Sequence, residues 1–244
     1  MIKLHAFGPA FGLPEPSPYV TKTEVQLRMA GLAFEKVKGD LEKTPKHKLP
    51  IIEDEGVIVA DSTFIRAHIE RTRGIDLDEG LTVRQRAEAW AIERMLEDHF
   101  CWALVHERWM NEGNFQKGPS QFFQAAPEHL RAAIIKDVRE RVAANMHAHG
   151  IGRHSDAERL ELASRSLSAL AALLGDKPFM MGDRPTGVDA FTFAVLAGAL
   201  APLFDTPLRS AVEAHGAFMP YVQRMAVRFY PDHAWWWDQR SMAA

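Results

Sequence analysis

Ser17-Pro18-Tyr19-Val20 is the stretch on which the fold turns. Ser17 carries the side-chain oxygen of a helix N-cap, and Pro18 fits the first helical position, where its missing N–H costs nothing. The pattern predicts a helix from there to Met29, with Gly31 as its C-terminal stop. Upstream, Ile2–Phe7 reads as a strand and Gly8–Pro16 as a loop rich in Gly and Pro. Downstream, Phe34–Lys38 reads as a second strand and Gly39–Lys48 as a polar loop. Pro50-Ile51-Ile52 and Val57-Ile58-Val59 are short β-branched runs flanking Glu53-Asp54-Glu55-Gly56, which reads as a hairpin with Gly at its turn. Asp61-Ser62 then caps a helix through Phe64, Ile65, His68 and Ile69. Residues 1–72 therefore read β-α-β, hairpin, α.

Residues 73–82 read as a charged, Gly-containing linker, and 83–244 as an all-helical domain. Ala87–Trp109 has the period of one long helix, and Leu130–His147 that of another, stopped at Gly150. Ser155 and Glu158 form a capping box opening a helix to about Leu174; Thr186 and Asp189 form a second one. A chain of 244 residues accommodates two such domains. The formal net charge of −3 offers no attraction to nucleic acid. Cys101 is the single cysteine, so a disulfide framework is impossible and a reducing, cytoplasmic setting is expected. The longest uncharged stretch, Ala190–Phe204, is short for a bilayer and contains Pro202, which points to a buried core helix and no membrane span.

The β-α-β-hairpin-α order resembles a thioredoxin fold. That fold keeps Cys-Pro-Tyr-Cys at the start of its first helix, where this chain has Ser17-Pro18-Tyr19-Val20. Both thiols are absent, so dithiol exchange is excluded. Leu49-Pro50-Ile51 matches the place of the fold's cis-proline, and Asp61-Ser62 the acidic-plus-Ser pair of the glutathione transferases. Asp183-Arg184-Pro185-Thr186-Gly187-Val188-Asp189 looks like the capping motif of the transferases' central core helix. Within that superfamily the chain resembles the branch of the failed axon connections proteins and, more distantly, the metaxins. The matching segments include Phe11-Gly12-Leu13-Pro14, Leu27-Arg28-Met29-Ala30-Gly31, Glu93-Arg94-Met95-Leu96-Glu97, Trp102-Ala103-Leu104-Val105 and Gly150-Ile151-Gly152-Arg153-His154-Ser155. The resemblance implies an α/β thioredoxin-like domain plus an all-α domain, glutathione as co-substrate, a small hydrophobic partner and a homodimer.

A transferase must stabilise the glutathione thiolate, the nucleophilic form. Lowering a thiol from roughly 8.5 to about 6.5 takes roughly 2.7 kcal/mol. The N-terminus of the Ser17 helix supplies unpaired N–H groups and a positive dipole end. Ser17 can add its hydroxyl proton; the plain alternative is that it serves only as an N-cap. Tyr19 is the weaker candidate at the same helix start, and packing explains it as well. The resemblance places the γ-glutamyl end at Asp61 and Ser62, the cysteinyl backbone against Leu49 and Pro50, and the glycine carboxylate at Lys48, with Lys46 and His47 nearby. Asp61 and Ser62 are also explained as helix caps, and Lys48 as a solvated loop charge.

Trp102, His106 and Trp109 stand at i, i+4 and i+7, on one helix face, where the resemblance places the hydrophobic substrate. They line either an aromatic acceptor pocket or ordinary core. Trp235-Trp236-Trp237 either folds over that site or anchors the tail. His147, His149 and His154 form no metal set, because i and i+2 point apart on a helix and no carboxylate completes them. The expected activity is conjugation of glutathione to a small hydrophobic electrophile, with a non-catalytic binding module as the alternative. The loop Gly8–Pro16, longer and more proline-rich than the transferases' usual one, favours the module if it covers the groove. A glutathione-dependent reductase would need Cys at position 17.

Overall fold

In this computed structural model residues 1–241 are described; positions 242–244, the end of the helical domain as read from the sequence, lie outside them. Four strands form one sheet: β1 (Ile2–Ala6), β2 (Phe34–Lys38), β3 (Ile51–Asp54) and β4 (Val57–Ala60), in the order β2-β1-β3-β4. β1 runs parallel to β2 and antiparallel to β3, which pairs antiparallel with β4. The β1–β2 crossover is α1 (Pro18–Met29). Ser17 is its N-cap, Pro18 opens it, and Gly31, at φ 66°, follows its C-cap Ala30. The hairpin turn is shorter than the sequence suggested: Glu53 and Asp54 continue β3, leaving Glu55 (φ 51°) and Gly56 (φ 83°) to turn the chain. The Leu49–Pro50 peptide is cis.

Helix α2 (Ser62–Arg73) closes the first domain, and Gly74 ends it in a left-handed conformation. The next helix starts at Val83 and is not uniform. It comprises α3 (Val83–Met95), a π turn (Leu96–Phe100) and α4 (Cys101–Trp109). Then come α5 (Glu112–Lys117), α6 (Glu128–His149), α7 (Asp156–Leu174), α8 (Gly187–Leu200), α9 (Pro207–Glu213), α10 (Phe218–Phe229) and α11 (Trp236–Ser241). None of the described helices is long and apolar enough to cross a membrane.

α8 is the axis of the second domain, and every residue from Gly187 to Leu200 is buried. A charge in such a place must be saturated with hydrogen bonds. Asp189 is: it accepts from Met180 N (2.8 Å), Thr186 N (2.8 Å), Thr186 Oγ1 (3.0 Å) and the Tyr221 hydroxyl (2.9 Å). The capping box read from Thr186 and Asp189 is thus a buried polar centre as well as a cap. A Cβ at Gly187 would overlap the Arg66 guanidinium.

α1 packs between the sheet and α8, so polar residues on its helical-domain side are buried too. Lys22 is fully buried and bonds Glu97 Oε1 at 2.7 Å and Glu93 Oε1 at 3.2 Å. Both glutamates also meet Arg94. On the linker, Asp78 accepts from Gly187 N (2.9 Å) while pairing with Arg66 of α2 (2.7 Å). The linker is therefore pinned to both domains. Arg108, likewise buried, donates to Pro16 O (2.8 Å) and Gly198 O (2.9 Å).

Replacing Lys22 by Met leaves two glutamates without their buried cation. Chemical denaturation is expected to show a loss of about 3 kcal/mol, and an unchanged midpoint would remove this network from the stabilising set.

Candidate functional site

A cleft of about 560 Å³ opens between the domains. Its first wall comes from the thioredoxin-like domain: Lys46, Lys48, Leu49, Pro50, Asp61 and Ser62, continued by Thr63 and Phe64. Asp61 takes up φ 85°, a strained value for a residue with a side chain. That backbone is held by Asp61 N donating to Pro50 O (3.2 Å), while Asp61 Oδ1 caps Thr63 N (3.0 Å). Ser62 is buried, and neither its hydroxyl nor its N–H has a hydrogen bond among the described residues. This helix start is an anion-receiving end by construction. Lys46 lies 3.7 Å from Asp61 and over the Phe64 ring; Lys48 has no ion pair among the described residues.

The second wall is a stripe along α3, the π turn and α4: Trp90, Arg94, Glu97, Asp98, Trp102 and Val105. The π turn is wider than an α turn, and both Glu97 and Asp98 of it line the cleft. Arg94 joins Glu97 (2.7 Å) and Asp98 (3.3 Å) and stacks on Trp90. Trp102 stacks on His149, which donates from Nε2 to Asp98 O at 2.8 Å. The last residues of α6 therefore buttress this wall. Arg153 donates to His147 O (3.1 Å), and His154 O accepts from Arg159. Both residues, without a local role in the sequence, fix the turn after α6.

Not every residue read from the sequence reaches the cleft. Trp102 lines it; His106 and Trp109 do not. His106 faces Asp156 and Arg159 of α7, and Trp109 packs on Phe115 and Phe123. The three residues stand at helical spacing on α4, but α5 and α7 cover the end that carries His106 and Trp109. Trp235 is buried against Phe193 and Tyr230 and stacks on Trp237, so the tryptophan run anchors the tail. The Gly8–Pro16 loop does not line the cleft. Phe11 packs on Phe122 and Phe204, and His233 meets Gly12 O.

At the floor stands the start of α1. Tyr19 lines the cleft, packs on Phe191 and donates its hydroxyl to Glu97 O (3.1 Å); burial pushes its pKa up. Ser17, half-buried, is not among the lining residues. Its Oγ accepts from Val20 N at 3.4 Å, and among the described residues nothing accepts its proton. Cys101, also at the cleft, is raised to about 12 by burial, so it is no nucleophile near neutrality. Beneath the floor is Glu15, which no local signal in the sequence marks. Burial raises its pKa from 4.5 to about 7 against the opposing N–H groups of Ser17 and Gly8 and the charge of Lys36. No group of three or more metal-ligating side chains occurs among the described residues.

The chain matches two family models, described as the glutathione S-transferase N-terminal domain (residues 18–114) and C-terminal domain (residues 163–225). It is 32% identical over 203 residues to the isoprene-epoxide–glutathione S-transferase of Rhodococcus sp., covering 80% of this chain and 85% of that protein. It is 33% identical over 252 aligned positions to Failed axon connections of Drosophila melanogaster, covering 98% of this chain and 59% of that protein. Human metaxin-1 is 26% identical over 163 residues, and the match spans 35% of its length. A beta-etherase from Sphingobium sp. superposes with a TM-score of 0.63 at 16% identity, over 92% of this chain and 94% of its own. A glutathione S-transferase from Methylobacterium radiotolerans, solved with glutathione sulfonate, gives 0.60 at 21%, over 96% and 95%. At those identities the likeness is one of fold.

Glu15 has a raised folded pKa, so its favourable contribution is complete below the unfolded value and is lost as pH rises through the folded one. Between pH 4.5 and about 7 the unfolding free energy should fall by about 2–3 kcal/mol relative to Glu15→Gln. Parallel pH–stability curves for the two proteins would contradict this.

Proposed function

This chain belongs to the glutathione S-transferase family, and we propose that it is a working transferase that joins glutathione to a small, uncharged hydrophobic electrophile. One observation carries the reading: a single cleft combines the Ser62 N–H and the Lys48 ammonium, both without partners among the described residues, on one wall with exposed aromatic surface on the other. The γ-glutamyl carboxylate is received at Ser62 and the start of α2, with Asp61 toward the ammonium. The cysteinyl backbone pairs with Leu49 beside Pro50, as at a strand edge. Lys48 holds the glycine carboxylate. These assignments direct the sulfur to the start of α1.

Ser17 is the favoured donor there. Its hydroxyl proton is uncommitted, whereas Tyr19 already donates to Glu97 O. The Tyr19 N–H has no partner among the described residues and adds the helix's own positive end. The thiolate then attacks carbon of the electrophile, forming the C–S bond as the carbon's leaving bond breaks. Tyr19, Trp102 and Val105 give the acceptor an apolar seat. The Rhodococcus relative, named for an isoprene epoxide, makes a small epoxide the first acceptor to try. A homodimer and a cytoplasmic setting belong to the same reading.

A non-catalytic binding module is the second reading. It is favoured by the absence of Ser17 from the lining residues and by similarity to Failed axon connections and metaxin-1. Calorimetric titration with glutathione separates the two. Binding is expected in the millimolar range or tighter, weakened about tenfold in Lys48→Ala. Ser17→Ala should keep that affinity and lose about 10²-fold in kcat, with Tyr19→Phe much less affected. No heat at millimolar glutathione would sink the transferase reading, and full turnover in Ser17→Ala would remove Ser17 from the chemistry.

A further inference from the structure

Glu15 is only 2% exposed, yet no cation lies within ion-pair distance of it among the described residues. A buried carboxylate is costly unless hydrogen bonds satisfy it. Here they come from backbone. Oε2 accepts from Phe7 N (3.2 Å) and Gly8 N (3.1 Å), at the end of β1. Oε1 accepts from Ser17 N (3.2 Å), at the start of α1. One side chain therefore ties together the two ends of the β1–α1 loop and touches the residue that caps the helix. The charged and titratable groups around it are Lys36 on β2, Glu24 on α1 and Tyr230 after α10. Lys36 is shared, lying 3.0 Å from Glu24 and donating to Pro14 O, and Glu24 also holds Arg28.

Resting on the transferase reading, we propose that Glu15 is a positioning residue of the thiol site: it fixes Ser17 against the end of β1, and its charge is coupled to that of the sulfur bound at the start of α1. The coupling follows from Coulomb repulsion in a poorly solvated place. A thiolate at the helix start and a carboxylate on the Ser17 N–H are like charges, so ionisation of one raises the proton affinity of the other. The bound thiol loses its proton, and Glu15 takes up part of one. Binding near neutral pH then releases clearly less than one proton for each thiolate formed. Burial already brings the Glu15 carboxyl to about 7, where such uptake operates.

The test counts protons. Glutathione is titrated calorimetrically in two buffers of different ionisation heat, and thiolate is read by its ultraviolet absorbance. Wild type should release fewer protons than the thiolates it forms. Glu15→Gln should release one for each, because the amide cannot ionise. Its carbonyl can serve Phe7 and Gly8, but its nitrogen cannot accept from Ser17 N. Turnover should therefore fall about tenfold while glutathione affinity stays within about threefold. Lys36→Met gives a second handle that leaves the three N–H bonds in place: the pH of smallest proton release should move upward. Wild type that binds glutathione and releases one proton per thiolate at every pH overturns the inference alone. Wild type that binds no glutathione overturns the transferase reading and the inference with it.

Discussion

The buried contact of Lys22 with Glu93 and Glu97 fixes how the two domains meet, and the cleft depends on that meeting. Lys22 lies on α1, whose first turn is the floor of the cleft; Glu93 and Glu97 lie on the helix that forms its far wall. A fully buried ammonium is tolerated only with oxygen partners at hydrogen-bond distance. Floor and wall are thereby tied together through the 2.7 Å and 3.2 Å contacts of Lys22. Lys22 also donates to Thr63 Oγ1 (3.3 Å), at the start of α2, so the network joins three of the elements that line the cleft. Arg94 carries it to the surface through Asp98 and Trp90.

The loop between β1 and α1 is held from the other side. Glu15 binds its two ends, Arg108 holds Pro16 O, and Phe11 is inserted among Phe122 and Phe204. Arg108 has no carboxylate partner among the described residues, and burial lowers its pKa to about 10. Carbonyl oxygens and the faces of Phe11 and Phe204 stand in for a counter-ion. A long, proline-rich loop that might have covered the cleft is drawn instead onto the helical domain. Tyr19 at the start of α1 still lines the cleft, and among the described residues nothing accepts the Ser17 hydroxyl proton.

The two walls differ in electrostatic character. Lys46 and Lys48 outnumber Asp61 on one side; Glu97, Asp98 and buried Glu93 outnumber Arg94 and Lys22 on the other. Glutathione, with a carboxylate at each end and an ammonium at one, suits a basic loop facing an acidic helix. Beyond Asp98 the stripe becomes apolar at Trp102 and Val105, so the charged part of the cleft gives way to an apolar one.

Residue order alone determined what depends on neighbours in the chain. The Ser17 cap, the strand at Phe34–Lys38, the hairpin, the Ser155 capping box and the Thr186–Asp189 box are set by local hydrogen bonding and by the period of apolar residues. Local pattern marked Asp61-Ser62 as a helix cap and Lys48 as a loop charge; the resemblance put them with Leu49-Pro50 at one site, and all five line the cleft. Tertiary structure decided the rest. Trp102, His106 and Trp109 share a helix face, yet α5 and α7 cover two of them, and no spacing along α4 records which neighbours arrive. Glu93-Arg94-Met95-Leu96-Glu97 is an ordinary charged helix in sequence; only α1, 75 residues away by the Lys22–Glu97 bond, turns it into a buried network. Glu15 has no local mark in the sequence beyond its place in the Gly8–Pro16 loop. Burial beneath the start of α1 gave it three backbone donors and a raised pKa, because desolvation belongs to the packed molecule and not to the residue.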